Sequence, residues 1–243
     1  MAFCLRLLIC LSLWAVAPSM QAAQLELGVL DLKPFGYQDK NGAIKGDIAD
    51  LFRQIATGAN YTYRLRLAPH ARLLNDLNTG AVDMAVLIDD VSSNARAEVL
   101  VKLPASPIHL VLRKGLSFAS LTPETKIGQV RGSTFRNLVL EVPPVQWVYY
   151  NKTAQGVAML ERGRLDGFIS SEAAYLEALR ELDTQPLPGA QVEVLGRVSG
   201  GVFLSRQSPY IKDLDKIKRS AQRAVASILA RARQAEEKRV LSH

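Results

Sequence analysis

A seven-residue pattern that occurs twice constrains the fold of this 243-residue chain more than any other feature. The first copy is Leu77-Asn78-Thr79-Gly80-Ala81-Val82-Asp83, and it leads into the apolar run Met84-Ala85-Val86-Leu87-Ile88. The second is Leu160-Glu161-Arg162-Gly163-Arg164-Leu165-Asp166, and it leads into Gly167-Phe168-Ile169. Both read Leu-x-x-Gly-x-x-Asp followed by a short apolar segment. Glycine accepts the left-handed conformation that follows a helix end, so each copy predicts a helix that stops at Gly80 or Gly163 and a strand within three residues. Each apolar run then meets polar residues, Asp89-Asp90 in the first copy and Ser170-Ser171-Glu172 in the second. A helix-to-strand unit used twice implies two α/β lobes of similar build. Ligands in open α/β sheets bind beyond the carboxyl ends of the strands, so the two polar clusters are expected to face a common cleft.

The first 23 residues stand apart. Arg6 precedes an apolar run over 7–17, and mostly small and polar residues follow over 18–23. That is the order of a secretory signal, and the run is too short for a comfortable membrane span. Cleavage is expected after Ala22 or Ala23, with Met20 or Gln21 in the place where a small residue is usual. Both cysteines, Cys4 and Cys10, lie in this segment. The mature chain is therefore expected to hold no disulfide, no thiolate nucleophile and no Cys-ligated metal. A cysteine-free exported protein of this size suits a periplasm, where a sizeable core replaces disulfide staples. The formal net charge is +7. Many of the cations lie between Lys212 and Arg239 and read as the solvated face of a terminal helix. Basic residues interleaved with aromatics are absent, so no nucleic-acid partner is expected.

Periodicity places the elements between these landmarks. Strands are expected over 25–30, 61–67, 82–88, 108–112, 126–130, 145–150, 165–169, 191–198 and 201–204. Helices are expected from Asp47, which can cap the first, over 69–78, 135–142, 154–161 and 172–182, and from about Leu214 to the end. Pro34 breaks regularity after the first strand. The order is βαβαβ, a crossing, αβ units again, a return crossing and a terminal helix. The fold class expected is α/β with two lobes, each a mixed sheet flanked by helices. One lobe would comprise 24–110 plus 203–243, the other 111–202, joined by crossings near 108–113 and 198–204.

With these markers in order, the chain resembles the extracytoplasmic solute-binding proteins that serve uptake of polar amino acids, solute-binding protein family 3. The resemblance covers 24–243. It rests on Pro34-Phe35, on Gly42-x-x-x-Gly46-Asp47-x-x-Asp50, on both Leu-x-x-Gly-x-x-Asp copies, on Arg96, and on Ile127-Gly128 leading through Arg131 into Gly132-Ser133-Thr134. It implies the type II periplasmic-binding-protein fold and closure of two lobes on a small solute. In that family a first-lobe arginine pairs with the ligand carboxylate, and Arg96 stands at the matching position. A planar guanidinium makes two parallel bonds to a carboxylate. Ser133 and Thr134 stand where a helix start binds the ligand through hydroxyls and free N–H groups.

The departures also carry information. Ser93-Asn94-Ala95 replaces the usual Thr-Pro-Glu, and Leu32 stands near the place of a ligand-covering aromatic. The aspartate for the ligand amino group falls at Ser171, beside Glu172, and a serine lacks the charge that an ammonium wants. The remaining candidates are Asp89 at a strand end, Phe35 and Tyr37 against the cleft, and Arg72. His70 reads as a solvated loop residue, and Asp83 and Asp166 as organisers of their turns. The expected function is periplasmic capture of a small carboxylate-bearing polar solute, an amino acid or a relative, for an inner-membrane ABC permease. A monomer with no cofactor is expected. The competing readings are a ligand-sensing module without a transporter and a dehydratase-like enzyme. His70, His109 and His243 form neither a triad nor a metal spacing, so no catalytic residue and no metal are assigned.

Overall fold

Each copy of the repeat builds the same three-stranded parallel unit. The computed structural model describes residues 24–88, 96–133, 135 and 143–241. In the first unit β1 (Gln24–Leu30) is central, with Leu25, Leu27 and Val29 fully buried. It pairs in parallel with β4 (Thr62–Ala68) along its length, and with β5 (Met84–Ile88) at Leu27↔Met84 and Gly28↔Ala85. The crossover helices are α1 (Asp47–Gly58) and α2 (His70–Thr79), and a hairpin of β2 (Tyr37–Gln38) and β3 (Ile44–Lys45) precedes α1. In the second unit β7 (Lys126–Val130) is central. It pairs in parallel with β8 (Gln146–Tyr150) along its length, and with β9 (Gly167–Ser171) at Ile127↔Gly167 and Gly128↔Phe168. Here α3 (Thr153–Glu161) and α4 (Glu172–Glu181) flank the sheet.

Two long strands join the units. β6 (Ala97–Leu112) and β10 (Gln191–Ser205) run antiparallel to each other. Ile108 to Leu112 of β6 also pair with β9, and Gly200 to Leu204 of β10 also pair with β5. Hydrogen bonding thus runs through one sheet in the order β4-β1-β5-β10-β6-β9-β7-β8. The order is symmetric about the β10–β6 pair, with one three-stranded parallel unit on each side of it. The crossings are longer than the apolar runs that predicted them, because each strand is paired across the middle of the molecule. Their ladder is irregular between Val198 and Gly200, opposite Pro104, which has no N–H to give.

The glycine and aspartate of the repeat do the same job in both copies. Gly80 and Gly163 take φ of 74° and 65°. The Asp83 carboxylate accepts from the Glu26 amide and the Ser208 hydroxyl, both at 2.7 Å, while the Asp83 amide donates to the Glu26 carbonyl at 2.7 Å. The Asp166 carboxylate accepts from the Lys126 amide at 2.8 Å and from Arg113 Nε at 2.7 Å, and the Asp166 amide donates to the Lys126 carbonyl at 2.9 Å. Each aspartate therefore ties the start of its strand to the central strand of its own unit.

Three local expectations are corrected. Asp47 does not cap α1. Gly46 occupies the N-cap, and the Pro34 and Phe35 carbonyls accept the Asp47 and Ile48 amides at 3.1 and 3.0 Å, so backbone carbonyls take the place of a side-chain cap for these two amides. Gly46 has φ of 118°, and a Cβ there would lie 2.5 Å from the Phe35 carbonyl oxygen. β9 reaches two residues further than its apolar run, so Ser170 and Ser171 are buried in the strand. The extended runs 191–198 and 201–204 are one strand. The expected helix over 135–142 lies, apart from Phe135, outside the described residues.

The terminal helix α5 (Leu214–Leu241) buries Ile217, Ala221, Ala224 and Val225 in the same core as Phe52 and Ile55 of α1. The Ser220 hydroxyl donates to the Ile55 carbonyl at 2.8 Å. Asp83 is buried, whereas the Asp166 side chain is 24% exposed. Asp83→Ala is therefore expected to cost about 2 kcal/mol, because it strands the Glu26 amide and the Ser208 hydroxyl. Asp166→Ala should cost roughly half of that. Thermal melts check this, and equal losses from the two variants would contradict it.

Candidate functional site

The carboxyl ends of the strands converge on one cleft between the lobes. The loop after β1 brings Asp31, Leu32 and Lys33; the end of β4 brings Leu67 and then Pro69-His70; the end of β5 brings Ile88. From the other lobe, the end of β7 brings Val130 to Ser133, the end of β8 brings Asn151 and Lys152, and the end of β9 brings Ser171. Three cavities lined by described residues open there. The outer one, about 450 Å³, lies between the 31–38 segment and the start of α3, with Lys33, Tyr37, Lys152, Thr153 and Glu181 on its walls. The middle one, about 370 Å³, holds Asp31, His70, Arg131, Ser133 and Asn151. The third, about 440 Å³ and the most open of the three, has Phe35 and Phe135 on its walls and reaches α1, β6, β10 and α5; it is called inner for its place against those elements. Lys33 of the first lobe bonds Glu181 of the second at 3.2 Å and also lies over the Tyr37 ring.

The residues singled out in the sequence divide into three groups. Ser133 lines the middle cavity, Tyr37 the outer, and Phe35 and Ser171 the inner. The Ser133 hydroxyl accepts from the Phe135 amide at 3.3 Å, and Ser171 is the N-cap of α4, accepting from the Ala174 amide at 3.4 Å. Arg96, Arg72 and Glu172 line none of the three cavities. The Arg96 amide donates to Asn78 Oδ1 at 2.7 Å, its carbonyl accepts from the Arg206 amide at 3.0 Å, and its side chain is exposed. Arg72 pairs with Asp76 one turn along α2 at 3.6 Å. Glu172 is exposed in the first turn of α4, where a negative charge suits the helix dipole. Asp89 and Thr134 lie outside the described residues.

His70 corrects its own reading. It is 8% exposed rather than solvated, and it is the first residue of α2. It lines both the middle and the inner cavity. Among the described residues neither ring nitrogen has a hydrogen-bond partner. Arg131, passed over as a link between motifs, lines the middle cavity and pairs with no carboxylate among the described residues. The only signal for it in the sequence was its place between the β7 run and Gly132-Ser133. Asp47 lines the inner cavity, and its carboxyl is pushed up by burial, then by repulsion from Asp50 and Glu177, against the pull of Arg180. Among the described residues no group of three His, Cys, Asp or Glu side chains is placed to hold a metal ion.

Fold and cleft define a two-lobed binding protein. The sequence profile of the bacterial extracellular solute-binding proteins, family 3, matches residues 25–237, and the chain belongs to that family. Among solved structures it is similar to holo ArgBP from T. maritima, with 20% identity, TM-score 0.63, and 82% of this chain and 89% of that one covered. It is similar to a Salmonella typhimurium periplasmic binding protein described as having high arginine specificity, with 18% identity, TM-score 0.64, and 84% and 94% covered. It is also similar to a histidine kinase sensor domain, with 17% identity, TM-score 0.63, and 90% and 95% covered. No significant match is found among curated proteins.

Burial lowers the pKa of His70 below its ordinary value. The charged groups around its two cavities are Asp31, Asp47 and Arg131, with Arg72 and Asp76 further along α2. A histidine whose folded pKa lies below its unfolded value of about 6.5 makes the unfolded chain the better proton acceptor. Stability from this group is lost as pH falls below about 6.5, and the full cost is reached below the folded pKa. Melting temperatures measured from pH 7.5 to 5.5 should fall more steeply for the wild type than for His70→Leu; superimposable profiles would refute the assignment.

Proposed function

We propose that this chain is exported to the periplasm, where it captures a small carboxylate-bearing solute between its lobes and presents the closed form to an ABC importer. The observation that carries this reading is the cleft itself. Its three cavities are each lined from both lobes, so a solute held there contacts both and favours closure by its differential affinity for the closed state. The hinge falls in the β6–β10 pair, in the irregular stretch around Pro104 and Gly200. Arg131 and Ser133 supply the carboxylate site: a guanidinium without a carboxylate partner among the described residues, and a hydroxyl, line the same cavity. Arg96 serves the fold by joining α2 to the end of β10. The Lys33–Glu181 bridge steadies the closed form, with the small contribution of an exposed pair.

Ligand sensing is the second reading, supported by the similarity to the histidine kinase sensor domain. Both readings need the same capture step, so capture is tested first. A ligand present at 100 times its dissociation constant stabilises by about 2.7 kcal/mol. At this chain length each kcal/mol moves the melting temperature by roughly 2–4 °C. A thermal-shift screen of amino acids, dicarboxylates and small cyclic acids should give such a shift for a carboxylate. Arg131→Ala should abolish it, and Arg96→Ala should keep it. Small-angle scattering should show a smaller radius of gyration with the ligand bound. The opposite pattern in the two arginine variants would return the carboxylate to Arg96.

A further inference from the structure

Two of the cavities share one polar side chain. His70, Leu30, Leu32, Ile88 and Phe135 line both the middle and the inner cavity. The two spaces differ in chemistry. The inner cavity is walled by aliphatic residues from five elements, among them Ile48 of α1, Val86 of β5, Leu103 of β6, Val198 of β10 and Ile228 of α5. Its polar side chains are Asp47, His70, Ser106, Ser171 and Ser199. The middle cavity carries the Arg131 guanidinium and the Ser133 hydroxyl, with Asp31 at its edge. Between them stands an imidazole that is more than nine-tenths buried and has no hydrogen-bond partner among the described residues.

A buried polar group without a partner is costly, and native structures rarely leave one unexplained. A solute that hydrogen-bonds the imidazole removes that cost on binding. A solute with a polar or charged body would instead desolvate that body against the aliphatic walls, at a penalty only matching partners offset. Ser171 accepts the α4 cap bond through its hydroxyl oxygen and keeps one O–H to donate, too little to match a polar or charged body. Mostly apolar pockets with a few converging polar groups are the usual form of small-molecule sites.

We infer that the solute is a small acid with an apolar body, its hydrocarbon in the inner cavity and its carboxylate at the seam, between the His70 ring and the Arg131 guanidinium. This rests on the solute-capture reading and narrows its ligand class. His70 from the first lobe and Arg131 from the second hold the same head group, so the carboxylate bridges the lobes while the body fills the space that closure dries.

The test is titration calorimetry on the protein lacking 1–23, with phenylacetate and octanoate as apolar acids and arginine and glutamine as polar counterparts. Phenylacetate or octanoate should bind and the polar amino acids should not. Arg131→Ala and His70→Phe should each weaken binding by about tenfold or more, the loss expected for a hydrogen bond to a charged group. His70→Phe keeps an apolar wall; should it fail to fold, as circular dichroism would show, Arg131→Ala still decides, because Arg131 is exposed. Binding of arginine or glutamine with no binding of either apolar acid would overturn the ligand class and leave solute capture standing. Apolar acids bound equally well by both variants would overturn the placement of the carboxylate. Binding of none of the four would overturn the ligand class, and if the wider carboxylate screen were also silent, solute capture would fall with it.

Discussion

The antiparallel pair of β6 and β10 is the constraint on which the rest of this structure depends. Each lobe is a parallel unit closed on one side by a piece of a strand that belongs to the other lobe as well. Without that sharing, β5 and β9 would each present an open edge, and the lobes would be tied only by side-chain contacts. On the proposed reading the same pair also has to permit closure. Its ladder shifts register at three places, between Val194 and Gly196, Val198 and Gly200, and Val202 and Phe203; the middle one faces Pro104, which has no N–H to give, so bending there breaks few hydrogen bonds.

The internal symmetry explains why the cleft is where it is. Both parallel units point the carboxyl ends of their strands at the shared pair. The loops after β1, β4 and β5 therefore meet the loops after β7, β8 and β9. The aspartates of the repeat lie at the opposite ends of the strands and act on stability, not on ligand. Burial holds the Asp83 carboxyl above the usual range, although the Ser208 hydroxyl and the Glu26 amide both pull it down. That balance marks it as a structural group whose two hydrogen bonds offset the loss of water only in part.

Family membership fixes the architecture and leaves the chemistry of the cleft to this chain's own residues. The aspartate position that the resemblance ties to an amino group holds a capping serine. The arginine position that it ties to a carboxylate lies outside the three cavities, with its backbone bonded to Asn78 and Arg206. The proposed carboxylate site uses instead a buried histidine without a partner among the described residues and a second-lobe arginine, beside an aliphatic chamber. The same scaffold can carry a different ligand because loop residues, not core residues, meet the solute.

The sequence by itself determined the repeat, the turn aspartates, the strand and helix order and the two-lobed class, because each rests on local signals: a left-handed glycine, a helical or alternating period, a fixed spacing. It also placed Ser133, Ser171, Phe35 and Tyr37 at the cleft, since each lies at or just beyond a strand end. Only the tertiary structure decided that His70 is buried, that Arg131 and not Arg96 lines the middle cavity, and that β6 and β10 are single strands across both lobes. Those facts depend on which loops are brought together by pairings between residues far apart in the chain, such as Ser205 with Ala97, and no period within one segment records them. The apolar character of the inner cavity has the same origin. Its walls come from helices and strands that each look like ordinary core in sequence, and only their meeting leaves a space between them.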